Sequence, residues 1–236
     1  MGALTPVEIE ALLLSLKVGL LSVAICLPLG LCIAVILARL EFPGKWLVDG
    51  IVHLPLVLPP VVIGYLLLVL LGRRGLIGAW LLETFDFTLA FTWKGAAVAA
   101  AVMALPLTVR AIRLSLEQLD QGLEIAAKTL GASWFRVFWT ITVPLCLPGI
   151  LTGTILAFAR SLGEFGATIT FVSNIPGATQ TLPLALFTET QVPGDPIPAI
   201  RLTVIAVAVA LMALITSEYL ARRIARQVGT DDKSGR

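Results

Sequence analysis

The chain is poor in the residues from which catalytic and metal centres are built. Its 236 residues include one histidine and three cysteines, and only 14% of them are charged. The cysteines, Cys26, Cys32 and Cys146, all fall in apolar stretches and form no CxxC, so they read as small buried hydrophobes and imply no disulfide or metal framework. His53 stands alone in a proline-rich run and reads as structural. There is no HExxH, no GxSxG with its partners and no carboxylate pair at helical spacing within an apolar run, which leaves a catalytic reading with little support. A GxxxxGK[ST] loop is missing too, so if ATP drives this protein another chain must bind the nucleotide. The net charge of +2, with no basic run interleaved with aromatics outside the C-terminal tail, argues against a nucleic-acid partner.

What the chain has in excess is apolar surface. At 58% hydrophobic residues and a mean hydropathy of +0.96, it carries more than a soluble fold of this length can hide. The bilayer is the solvent that accepts it. The opening MGALTPVEIEALLL has acidic residues where a secretory signal carries lysine or arginine, so the first apolar run is expected to stay in the mature chain.

About 20 apolar residues cross a hydrocarbon core of about 30 Å. Five runs meet that need: Val18 to Ala38, Gly50 to Gly72, Leu89 to Val109, Val137 to Ala159 and Ala199 to Leu220. Lys94, Arg201 and Glu218 lie near the ends of runs, where long side chains reach the headgroups. Between the last two runs, Phe165 to Val172 is followed by Ser173, Asn174, Pro176 and Gly177 and then by TLPLALF, each piece too short to cross alone. This stretch reads as re-entrant or interfacial, a hint of a pathway lining, and leaves a sixth crossing open. With five spans, one side receives Arg39, Lys45, Arg110, Arg113, Lys128, Arg136, Arg222, Arg223, Arg226, Lys233 and Arg236, eleven of the seventeen basic residues. The positive-inside rule then places the N-terminus outside and the C-terminus in the cytoplasm.

The inner loop from Arg110 to Thr140 is far longer than the roughly two to eight residues that usually join bundled helices. Within it Leu119, Leu123, Ala126, Ala127 and Leu130 share one face of a short helix, with Asp120 placed to cap its start and Gly131 to stop it in a left-handed turn. Trp134, Phe135, Phe138 and Trp139 follow, suited to the headgroup interface. Such a helix either lies on lipid or projects into a cytoplasmic partner. The small alanines beside Glu124 favour the partner, since surface-lying helices prefer bulky apolar faces with basic borders.

In this region EIAAKTLGASWFRVFWTITVPLCLP resembles the EAA signature of permease subunits of binding-protein-dependent ATP-binding cassette importers. Gly131 and Ile141 keep that spacing, while Ile125 stands at the usual glutamate position, with Glu124 one residue earlier, and Val143 replaces the leucine before Pro144. RSLGEFGATITFVSNIPGATQTLPLALFTETQVPG is similar to the corresponding region of permeases from molybdate importers, and sulfate permeases share a similar LGEFG patch. The resemblance covers nearly the whole chain. It implies the type I importer permease fold: an all-α integral membrane protein of about five transmembrane helices plus a cytoplasmic coupling helix. It also implies one permease domain over 1–236, with a core of about 11–221 and a basic cytoplasmic tail at 222–236. The implied partners are a second copy of the permease, two copies of an ATPase that bind the ATP, a periplasmic molybdate-binding protein and membrane lipid. No cofactor is implied in this chain. Sulfate, thiosulfate or tungstate remain alternative cargoes, and an autonomous ion-coupled carrier is a further alternative, although it would call for two related halves that the sequence does not show.

By resemblance Glu124, Ala126, Ala127 and Gly131 contact the ATPase and couple it to transport. For the path, Ser161, Thr168, Thr170, Ser173 and Asn174 cluster where the sequence breaks and offer hydroxyl and amide donors, and Gly163 and Gly166 expose backbone amides; the same residue types also serve helix packing in lipid. Arg160 and Glu164, four apart, share a helical face and read either as a mutually neutralising pair or as a gate contact for the oxyanion. Gly149 with Gly153, and Gly30 with Ala34, read as packing sites.

Overall fold

The computed structural model describes residues 5–193 and 196–231, and the regular structure among them is helical. Helix α1 (Pro6–Arg39) opens with a capping box in which the Thr5 amide donates to Glu8 at 2.7 Å and Pro6 occupies the first turn, where its missing N–H costs nothing. Its buried stripe is almost entirely small: Ala11, Ser15, Gly19, Ser22, Cys26, Gly30 and Ala34 recur every three or four residues. Small residues in that pattern bring helix backbones close, which is how helices associate where lipid offers no hydrophobic gain.

The second expected span is corrected by the structure. Gly50 to Gly72 is not one straight crossing but α2 (Lys45–Val57) and α3 (Pro60–Leu71), set at 117° to each other. Pro59 and Pro60 supply no N–H and push Leu58 into extended backbone, so the helical ladder cannot pass through them. A short apolar helix, α4 (Leu76–Phe85), which the apolar count did not separate, follows and ends at Asp86 in a left-handed conformation.

Helix α5 (Trp93–Glu117) is capped by Thr92, whose hydroxyl accepts from the Gly95 amide at 3.2 Å. It runs on past Val109 to Glu117, so the inner loop is shorter than the apolar run suggested. Charge ends the hydrophobic stretch without ending the helix, because Arg113 is paired with Glu117 at 2.7 Å and with Asp49 at 3.1 Å. After α6 (Gln121–Thr129) come α7 (Trp134–Val137), a π-helical turn (Phe138–Thr142), α8 (Val143–Leu145) and α9 (Leu147–Leu162). The fourth expected span is therefore also bent, by 67° between Trp134–Leu145 and Leu147–Leu162. The extra residue of the π turn, together with Pro144 and Pro148, accounts for the break.

Helices α10 (Gly166–Val172) and α11 (Leu182–Gln191) form the broken segment, and α12 (Ile197–Asp231) closes the chain. Helices α1, α5 and Ile197–Thr216 of α12 are long and apolar enough to cross a membrane alone, and the two bent pairs bring the number to as many as five among the described residues. Glu218 and the tail residues Arg222, Arg223, Arg226, Lys233 and Arg236 lie outside the described side chains.

The centre of the bundle is α1, α5 and α9, with α10 laid on α3 and α12 on α9 and α11. The glycines read as packing sites are such: a Cβ on Gly149 would overlap Ser115, and one on Gly30 would lie 2.8 Å from the Thr108 methyl. The first and last turns of α1 are each tied down by charge, Glu8 to Arg201 of α12 at 2.6 Å and Arg39 to Glu124 of α6 at 2.8 Å.

Candidate coupling helix and translocation site

Helix α6 forms where the sequence places it. Asp120 accepts from the Gly122 amide at 2.8 Å, and the helix ends in a Schellman arrangement, with the Gly131 amide donating to Lys128 and the Ala132 amide to Ala127. Gly131 has φ +86°, the left-handed backbone that glycine alone adopts without strain. Leu123, Ile125, Ala126 and Leu130 are exposed, Leu130 at 88%, whereas Leu119 packs into the bundle and Ala127 is half-buried. An apolar face therefore projects from the end of the bundle where α1 and α5 finish.

Of the four residues assigned to coupling, Ala126 and Gly131 face outward. Glu124 turns the other way, with a side chain only 15% exposed; its Oε1 accepts from Arg39 Nη2 at 2.8 Å and from the Thr142 hydroxyl at 2.9 Å. No sequence signal joins residues 39, 124 and 142, because their proximity exists only once α1, α6 and the π turn are packed.

The second cluster lies where α9 gives way to α10. Arg160 Nη1 sits 2.6 Å from Glu164 Oε2, so the expected i, i+4 pair is formed, and the other Glu164 oxygen accepts from the Ala167 amide at 2.8 Å. Glu164 is buried, with a side chain 2% exposed, while Arg160 is 28% exposed. A carboxylate so buried needs its partner, since even a lone charge at the centre of a membrane helix costs about 2.5–3.5 kcal/mol on insertion scales. Helix α10 reaches α3 through the absence of side chains: a Cβ on Gly64 would stand 2.5 Å from the Ala167 carbonyl, and one on Gly166 2.8 Å from Pro60. Gly163, by contrast, faces open space.

The hydroxyls expected nearby are engaged locally. Ser161 donates to the Ala157 carbonyl and meets Ser22 of α1, each at 2.7 Å, and Thr170 donates to the Gly166 carbonyl at 2.9 Å. Thr168 is buried in α10, and Ser173 ends that helix at φ +64°, its carbonyl accepting from Thr179. Asn174 donates to Thr188 at 2.8 Å, as does Gln180 at 3.2 Å, leaving Asn174 Oδ1 buried without a partner among the described residues. Thr188 and Gln180 went unnoticed in the sequence because they lie beyond the break, in a stretch whose apolar residues dominate. Ser22 and Thr108 were also missed: Thr108 bridges α5 to Cys26 of α1 at 3.2 Å and to the Gly153 carbonyl of α9 at 3.4 Å.

A bundle of bent helices with small-residue seams and one capped, amphipathic helix standing clear of one end is the architecture of a type I ATP-binding cassette importer permease. The chain belongs to the family described as binding-protein-dependent transport system inner membrane component, which matches residues 28–226. It is 61% identical over 219 residues to the molybdenum transport system permease protein ModB of Escherichia coli K12, covering 93% of this chain and 96% of that protein. The ModB protein of Haemophilus influenzae is 56% identical over 222 residues, with 94% and 97% covered. Among solved structures, a bacterial ABC transporter involved in alginate import superposes with a TM-score of 0.74 at 17% identity, over 94% of this chain and 81% of that one, a likeness of fold.

Proposed function

We propose that this chain is the membrane-spanning subunit of an ATP-driven molybdate importer. It acts as a homodimer, receives the anion from a periplasmic molybdate-binding protein and is driven by two cytoplasmic ATPase subunits that bind the ATP. The observation that carries the cargo is the 61% identity to a molybdenum transport permease over nearly the full length of both chains. The projecting face of α6 supports the ATPase partner, because an apolar helix face standing clear of the bundle needs a surface to cover it. Ala126 permits close approach there, Ala127 borders the contact, and Gly131 turns the chain back toward the π turn. The eleven basic residues on one side of the five expected spans support a cytoplasmic C-terminus and α6 and an N-terminus outside.

The cargo sets the demand on the path. A bare dianion in hydrocarbon costs tens of kcal/mol unless fixed dipoles replace its water. The half-exposed guanidinium of Arg160 and the open backbone at Gly163 meet it first, with Glu164 keeping the attraction weak enough for release. Ser161, Thr168, Thr170, Ser173 and Asn174 stand behind them, their donors freed for the anion as the break between α9 and α10 rearranges.

The test is uptake of labelled molybdate by cells lacking this chain, before and after its return, with excess sulfate as competitor. Restored uptake that resists sulfate is the expected result; restored uptake abolished by sulfate would make the chain a sulfate permease. Tungstate, of nearly the same size and charge, is expected to compete.

A further inference from the structure

The side-chain hydrogen bonds that join α6 to the rest of the bundle, among the described residues, both end on one oxygen of Glu124. One comes from Arg39, the last residue of α1, and the other from Thr142, the last residue of the π turn. The bond to Thr142 joins residues eighteen positions apart, so α6, its glycine stop, α7 and the π turn form a bracket whose far end is the 67° bend of the fourth span. The bond to Arg39 fastens the same bracket to α1, which packs along α5 and α9.

Three features fit a point that can shift. The π turn is a local departure from the α-helical ladder, of the kind found where a helix must bend or adjust. Arg39, although bonded through one terminal nitrogen, leaves its Nε buried without a partner among the described residues, so a buried donor remains unsatisfied in this arrangement. Beside it lies an apolar cavity of about 560 Å³, bordered by Cys32, Val35, Trp134 and Phe138 together with Arg39, Glu124 and Thr142. The guanidinium therefore has room to change partners without repacking the bundle.

We infer that Arg39, Glu124 and Thr142 are positioning residues that form the joint passing movement of α6 to α1 and to the bend of the fourth span. Glu124 thus acts inside the permease rather than in the ATPase groove. The joint rests on the reading that α6 docks on an ATPase. Losing it leaves α6 able to stimulate hydrolysis while its motion no longer reaches the path.

The experiment measures molybdate uptake and ATP hydrolysis together, in vesicles holding the full complex of permease, ATPase and binding protein, for Arg39→Gln, Glu124→Gln, Thr142→Val and Thr142→Ser. Each of the first three is expected to lower uptake per ATP by about five- to tenfold, the range of a modest coupling energy, with ATPase co-purification unchanged. Thr142→Ser, which keeps the hydroxyl, and the charge exchange Arg39→Glu with Glu124→Arg are expected to recover the ratio; a purely structural role would instead lower membrane insertion, ATPase co-purification and hydrolysis along with uptake, leaving the ratio unmoved. If Glu124→Gln releases the ATPase while Arg39→Gln leaves the ratio intact, Glu124 belongs to the groove and the joint is overturned. Normal ratios in all variants overturn it equally. A wild-type complex that does not transport would instead defeat the importer reading itself.

Discussion

Alanine serves opposite ends in two helices of this molecule. In α5, Ala96, Ala97, Ala99, Ala100, Ala101 and Ala104 are all buried, and two-thirds of its most apolar window lies inside the protein. In α6, Ala126 is exposed beside Leu123, Ile125 and Leu130. The same side chain that lets α1 and α9 approach α5 inside the bundle leaves α6 a smooth face with nothing packed against it among the described residues. Small residues therefore serve close approach within the chain in α5, while on α6 they lie on an exposed face. The α1–α5–α9 centre thus packs on itself, whereas the exposed face of α6 is the surface proposed for the ATPase.

That contrast is easiest to break inside the bundle. Replacing Arg160 with glutamine strands the buried Glu164 carboxylate and is expected to cost roughly 3 kcal/mol or more, read as the shift of the unfolding midpoint in detergent. The companion variant with Glu164→Gln as well is expected to regain most of that loss while remaining impaired in uptake; normal uptake by the double variant would end the gate role of the pair. Gly64→Leu drives a side chain onto the Ala167 carbonyl and is expected to cost about 2–3 kcal/mol in the same assay. A small effect there would mean that α3 and α10 separate without difficulty.

On α6 the ordering should reverse, with function lost before stability. Gly131→Leu meets open space but must hold φ +86°, a strain of about 1–2 kcal/mol confined to the helix end. Its insertion into membrane should match that of the wild type while uptake in vesicles falls about tenfold or more. Full transport by this variant would remove the glycine from the coupling mechanism. The smallest change belongs to the seam between α1 and α9: Ser22→Ala loses the Ser161 contact and should cost about 0.6 kcal/mol, the usual worth of such a bond between membrane helices.

The legible parts of the fold were those written in local chemistry. Asp120 and Gly131 mark the limits of α6 because capping and left-handed backbone are decided within a few residues, and Arg160 with Glu164 is an i, i+4 pair on one helix. Hydropathy located the spans but not their shape. It counts Leu58, Pro59 and Pro60 as apolar and is blind to their missing amides, so two bent crossings looked straight. It also ended the third span at Val109, because Arg110 and Arg113 lower the average although the helix continues with Arg113 neutralised by Asp49 and Glu117. The inward turn of Glu124 was illegible for another reason: Arg39 is 85 residues away, and only the packed bundle brings the two together.

The central claim is that this membrane scaffold has no engine of its own and takes its drive through α6. Liposomes containing the purified chain alone, set beside liposomes in which it is assembled with the ATPase and supplied with the binding protein, put the claim to its most direct test. Molybdate should accumulate against its gradient only in the assembled set and only with ATP inside reach of the ATPase; accumulation by the chain alone would contradict the account.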